Sequence, residues 1–167
     1  MCIVIDTNNL SCVFKKENRE HADFEPVYRW IISGKGKIVY GGTTYERELE
    51  ETPTIRKLFL RFSIYNKVVV VDKAAVDSKE AEYKRHVNSD FDDPHLVAIV
   101  AVSGVRLVCT NDKRAIPFLT NKEFYGKGKK PKIYSTKKNE DLLCDKNITK
   151  CCKPASQLNK DKQEFFV

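Results

Sequence analysis

Short apolar runs punctuate the chain, and stretches with helical spacing lie between them. Cys2–Ile5, Lys37–Tyr40, Lys67–Asp72 and Val105–Cys109 are brief and rich in β-branched residues, the pattern of strands in a covered sheet. The run of valines within 67–72 predicts a strand buried on both faces. Lys132–Ser135 reads as a weaker fifth strand. Between these runs the period changes. Asp6-Thr7-Asn8 caps a helix reaching about Lys16. Phe24, Val27, Tyr28 and Ile31 define one face of a helix over 23–32, which Gly34 stops. Thr43 or Thr44 caps a helix carrying Tyr45-Glu46-Arg47-Glu48-Leu49, and Ile55, Leu58, Phe62 and Tyr65 give a face to a helix over 54–65. Residues 74–87 read as an exposed helix. His95–Ser103 reads as a strongly apolar one, with Pro94 in its first turn and Gly104 at its end. A helix to about Leu119 follows Thr110-Asn111-Asp112, the Gly126–Pro131 stretch reads as a flexible basic loop, and Asn139–Leu143 as a last short helix.

Strands alternating with helices imply an α/β protein with a parallel sheet of four or five strands covered on both faces, its crossovers right-handed. Residues 1–145 form the expected domain and 146–167 a C-terminal tail without strong periodicity. That tail is either unstructured or anchored by Phe165-Phe166-Val167. A length of 167 residues suits one domain with a core. With 41% hydrophobic and 32% charged residues, global disorder is excluded, and no apolar run is long enough to span a bilayer. Met1–Asp6 has no basic stretch and no cleavage site, so the expected location is cytoplasmic.

Charge is unevenly distributed. Residues 1–121 hold 18 Lys and Arg against 17 Asp and Glu, whereas 122–167 hold 12 lysines against 6 acids. A basic tail fits an anionic partner such as nucleic acid, and fits plain solubility as well. The six cysteines (Cys2, Cys12, Cys109, Cys144, Cys151 and Cys152) show no zinc-type spacing and read as reduced thiols.

No glycine-rich nucleotide-binding motif follows the first strand. Carboxylates do occur at the positions where α/β sheets bind ligands. Asp6 ends the first strand and Asp112 lies just past the fourth, so a strand order of 3-2-1-4-5 brings them to one switch point. Asp93 opens the helix leading to the fourth strand, and Glu48 lies in the helix after the second. Converging carboxylates need a cation, and Mg²⁺ or Mn²⁺ bound by oxygen can activate water against a phosphodiester. Each acid also has an ordinary role open to it: Asp6 and Asp93 as helix caps, Asp112 in a turn, Glu48 as one of several acids between 46 and 51.

Four segments together resemble the PIN-domain ribonucleases, the fold of VapC-type toxins. These are Ile3-Val4-Ile5-Asp6-Thr7-Asn8, Tyr45-Glu46-Arg47-Glu48-Leu49, Asp90-Phe91-Asp92-Asp93-Pro94-His95-Leu96-Val97-Ala98 and Leu107-Val108-Cys109-Thr110-Asn111-Asp112-Lys113. Their order and spacing fit over residues 1–136. The resemblance implies a three-layer α/β/α domain and a metal-dependent endoribonuclease, with Asp6, Glu48, Asp93 and Asp112 as catalytic acids holding Mg²⁺ or Mn²⁺. It implies that Asn8 and Thr110 support the first and last of them. Glu46 and Asp92 are the neighbours that a small shift in register puts in place of Glu48 and Asp93. Lys113, Arg114, Lys127, Lys129 and Lys130 are the candidate RNA-backbone contacts. RNA is the implied substrate; an antitoxin or other protein inhibitor and self-association are left open. The competing reading is a non-catalytic scaffold of the same fold that binds RNA or protein. A haloacid-dehalogenase-type phosphatase would want Asp two residues after Asp6, where Asn8 stands.

Overall fold

A computed structural model describes residues 2–86, 91, 93–144, 151–152 and 157–166. Its centre is a five-stranded, all-parallel sheet of order β3-β2-β1-β4-β5. The strands are β1 (Cys2–Ile5), β2 (Lys37–Tyr40), β3 (Val68–Val70), β4 (Leu107–Cys109) and β5 (Lys132–Tyr134). β1 pairs with β2 through Ile3 and Ile38 and with β4 through Val4 and Val108, so the order reverses between β1 and β4. The helices are α1 (Leu10–Phe14), α2 (His21–Ile32), α3 (Thr43–Glu50), α4 (Pro53–Ile64), α5 (Lys73–His86), α6 (Pro94–Ser103), α7 (Ala115–Leu119) and α8 (Lys160–Glu164). α1 packs on α2 and α4, and α6 packs on α5, α7, β1 and β2, while α3 reaches α4, α5 and α6. The helices thus flank the sheet as the alternating pattern requires. Among the described residues no helix is long and apolar enough to cross a membrane.

β1, buried in full, and α6, buried over Pro94–Val100, form the centre of the core. α6 has no polar face because the sheet, α5 and α7 surround it. Gly104 adopts φ +70° and ends α6, its N–H bonding to the Val100 carbonyl.

Several expectations need correction. β3 lies at the sheet edge, so its valines are only partly covered and Val70 is 56% exposed. Hydrophobicity alone does not distinguish a central strand from an edge strand. The helix after Asp6 is broken into a 3-10 turn at Thr7–Asn9 and the short α1. α5 is not simply exposed, since Val76, Glu80 and Tyr83 form a buried stripe. Near the C-terminus, α8 forms and Phe166 stacks on Phe62 with ring centroids 5.0 Å apart, so the anchored alternative holds for 157–166. The expected boundary between 145 and 146 lies outside the described residues.

The cysteine reading also changes. Cys2 and Cys152 form a disulfide, with Cα atoms 6.1 Å apart and 150 residues between them in sequence. Cys12, Cys109, Cys144 and Cys151 remain thiols. The tail returns beneath the start of β1, a long-range approach that no cysteine spacing encodes.

Candidate carboxylate site

In a parallel sheet all strands deliver their following loops to one end. Here that end carries the residues after Ile5, Tyr40 and Cys109, together with the start of α6. Asp6 extends β1 by one hydrogen bond, its N–H donating to the Cys109 carbonyl. Its side chain is buried, with 1% exposure. The Asn8 N–H donates to Asp6 Oδ1 at 3.0 Å and the Thr110 hydroxyl donates to Oδ2 at 2.8 Å. Asn8 therefore supports Asp6 through its backbone.

Thr110 is the hinge of the site. Its Oγ1 donates to Asp6 and accepts from the Asp112 N–H at 3.1 Å. One hydroxyl thus ties the end of β1 to the turn after β4. Asp112 Oδ1 accepts from the Arg114 N–H at 2.7 Å and lies 3.8 Å from Arg114 Nε. A second tie crosses beside it: Asn9 Nδ2 donates to Asn111 Oδ1 at 2.8 Å, and the Asn111 N–H returns to Asn9 Oδ1 at 3.3 Å.

Glu48 comes from α3, which Tyr45 fastens above β1 by donating to the Ile5 carbonyl at 2.8 Å. The Thr7 hydroxyl donates to Glu48 Oε2 at 2.6 Å. His95 Nε2 lies 3.5 Å from the same oxygen, a charge contact when the ring is protonated and too long for a strong hydrogen bond. Both His95 nitrogens are buried and lack a hydrogen bond among the described residues. Glu46 is excluded as the substitute for Glu48 in this cluster, because its carboxylate turns outward to Lys73 at 2.6 Å. Asp93 stands at the N-cap of α6, two residues before His95, without capping through its side chain. Asp90 and Asp92 lie outside the described residues.

Electrostatics follow from burial. Desolvation raises the Asp6 carboxyl above its ordinary pKa, opposed by the bonds from Thr110 and Asn8 and by His95, while Glu48 adds to the rise. Burial lowers the His95 ring, opposed by Glu48, Glu80 and Asp6. Tyr45, wholly enclosed, is raised by burial first and then by Asp6 and Glu48.

Sequence reasoning missed Glu80, a carboxylate with 4% exposure that accepts from the Thr44 hydroxyl at 2.8 Å and pairs with Lys84 at 2.6 Å. The signal available was the 76, 80, 83 spacing on α5. It also left out Thr7 and the Asn9–Asn111 pair, which stand within the motifs already singled out.

The basic residues divide between the two ends of the sheet. Lys113 and Arg114 follow Asp112 at the carboxylate end. Lys127, Lys129 and Lys130 do not join them. Their loop leads into the start of β5, and the Arg106 guanidinium, just before β4, donates to the Gly128 carbonyl. That is the other end of the sheet, where the strands begin, roughly 10 Å of strand away.

The donors at the carboxylate end are hard oxygens. Among the described residues, however, only Cys2, Cys151 and Cys152 bring three potential ligand atoms within 4.8 Å of one another. Asp6, Glu48, Asp93 and Asp112 share an end of the sheet without closing to that spacing. No family model, curated protein or solved structure matches this chain.

Proposed function

We propose that this chain is a metal-dependent endoribonuclease, hydrolysing RNA phosphodiester bonds at the carboxylate end of its sheet, with Mg²⁺ or Mn²⁺ as its ion. The observation that carries the reading is the Thr110 hydroxyl, which joins the end of β1 at Asp6 to the turn after β4 at Asp112. The segments that carry these two acids are thereby tied together at the switch point, where α/β sheets bind ligands.

The residues suit a hard cation. Asp6 is a buried carboxylate, and a nearby cation would offset its desolvation. Asp6 and Asp112 would hold the ion, with Asp93 beside them and Glu48 holding a second ion or the attacking water. When bound, such an ion lowers the pKa of water and stabilises charge on the phosphate. The chain's own groups supply orientation. Thr110 fixes Asp6, while Thr7 fixes Glu48. Lys113 and Arg114 offer cations to the RNA backbone, so binding weakens as salt rises.

The scaffold reading draws on a different observation: the acids stand farther apart than a closed three-ligand cluster and already have protein partners. One experiment separates the two. A labelled single-stranded RNA pool is incubated with wild type, Asp6→Asn and Asp112→Asn in Mn²⁺, Mg²⁺ or EDTA, with folding checked by circular dichroism. The nuclease reading expects metal-dependent cutting by wild type and none by either folded variant. Full cutting by both folded variants overturns it. RNA binding without cutting by any of the three moves the scaffold ahead.

A further inference from the structure

The basic loop at the other end of the sheet lines a solvent-open pocket of about 460 Å³, walled by Lys122, Tyr125, Gly126, Lys127, Gly128 and Lys130. We propose that this pocket is a separate binding site for a phosphorylated nucleoside, its phosphoryl group held by Lys122, Lys127 and Lys130. Its position sets it apart from the carboxylate end, so the inference holds whether or not that end cuts RNA.

Four observations support it. First, the size lies within the range of small-ligand sites, and the wall combines one aromatic side chain with several cations. Second, none of the three lysines has a carboxylate partner among the described residues, although Lys73, Lys79 and Lys84 elsewhere do. Three exposed ammonium groups lining one concavity give it a positive potential that draws an anion. Third, the Tyr125 hydroxyl is buried and has no hydrogen-bond partner among the described residues. That hydroxyl is closed off from solvent, so what Tyr125 offers the pocket is the rest of its side chain, against which a nucleobase can pack.

Fourth, the loop is shaped before any ligand arrives. Asn121 caps the 3-10 turn Lys122–Phe124 by accepting from the Glu123 N–H. The Tyr83 hydroxyl donates to the Phe124 carbonyl at 3.0 Å, and the Lys129 N–H closes a turn onto the Gly126 carbonyl at 2.9 Å. Gly128 takes φ +71°, a conformation that favours glycine, and Arg106 holds its carbonyl. Pinning the backbone lowers the ordering cost of binding. Lysines act as compact point charges and suit a doubly charged phosphoryl group without demanding a planar partner.

The phosphoryl group can arrive on a free nucleotide or within an RNA chain, and the test distinguishes them. The full chain is titrated with uridine monophosphate, with a short single-stranded oligoribonucleotide and with polyglutamate, following backbone amide shifts by NMR. Saturable shifts confined to residues 122–130 are expected. In Lys127→Gln/Lys130→Gln the affinity falls about tenfold or more, equivalent to about 1.4 kcal/mol. In Tyr125→Ala it falls severalfold, while Tyr125→Phe, which keeps the ring, leaves it unchanged. Asp6→Asn leaves this binding unchanged, which separates the inference from the fate of the nuclease reading. Binding of the mononucleotide identifies a free-nucleotide site. Saturation by the oligonucleotide alone identifies an RNA-chain anchor, and both outcomes support the site. Equal binding of polyglutamate, shifts at another surface, or equal affinity of wild type and the double lysine variant overturns it.

Discussion

Asp6 concentrates the conflict between stability and chemistry in one side chain. Its burial disfavours the ionised form, so its folded pKa lies above the ordinary 3.8. The sign follows from proton linkage. As pH rises from 3.8 through the folded pKa, the unfolded chain releases this proton more readily than the folded one, and stability falls. Above that window the penalty is constant. Asp6→Asn removes the buried charge and keeps an oxygen for the Thr110 hydroxyl, giving up only the bond from the Asn8 N–H, which costs less than the buried charge. The variant is therefore expected to have a higher urea midpoint than wild type at pH 7, with the difference shrinking toward pH 3, while RNA cutting is lost. A lower midpoint at pH 7 refutes this account of the site. Thr110→Val tests the hinge without removing any acid. It deletes the bonds to Asp6 and from Asp112 and is expected to lower cutting by about 10–100-fold, the usual cost of losing a group that orients a metal ligand. The positions of Asp6 and Asp112 were legible, because strand ends can be read from hydrophobic runs. Glu80 and the His95–Glu48 contact were not, because each depends on how α5 and α6 pack against α3.

The elements were mostly legible because hydrophobic period 2 and period 3.6 are local signals, and β2 matches its expected span of Lys37–Tyr40. What failed depended on neighbours. β3 looks central by composition and is an edge. The residue just before it shows what helps to hold that edge. Lys67 is fully buried, and its Nζ donates to the Gly34 carbonyl at 2.9 Å, tying the end of α2 to the start of β3. Burial, with Lys37 nearby, pushes its pKa down to about 8. Between pH 8 and 10.5 the unfolded chain keeps a proton that the folded chain has lost, so stability rises with pH across that window. The gain is on the order of 3 kcal/mol, to be seen in urea titrations at stepped pH and absent in Lys67→Met. α8 was illegible for a different reason. Its sequence, Lys-Asp-Lys-Gln-Glu, has no apolar face, and the segment is held by residues beyond it. Phe166 packs between Phe62 and Tyr65, and its carbonyl accepts from the Tyr28 hydroxyl at 3.1 Å. Phe166→Ala is expected to cost about 3 kcal/mol, read as a shifted urea midpoint.

At the scale of the whole molecule, the Cys2–Cys152 disulfide joins the first strand to the tail and closes a loop of nearly the entire chain. The sheet gains little new contact from it, since Cys2 is already enclosed by β2 and the core. Its main effect is on the unfolded chain, whose ends it holds together, and which loses entropy in proportion to the logarithm of loop length. For a separation of 150 residues the stabilisation is about 3–5 kcal/mol. The same bond keeps α8 and Phe166 near their docking face between α2 and α4, so the tail packs at a high effective concentration. Cutting the covalent tie and removing the aromatic anchor should therefore not add independently. Oxidised wild type is expected to show four reactive thiols in denaturant, from Cys12, Cys109, Cys144 and Cys151, and six after reduction. Reduction should lower the urea midpoint by an amount that Cys152→Ser reproduces and that further reduction of Cys152→Ser does not increase. In the reduced protein, Phe166→Ala should cost less than in the oxidised one, because a free tail already undocks part of the time. Equal costs in both states refute the coupling and leave disulfide and anchor as separate stabilising contacts.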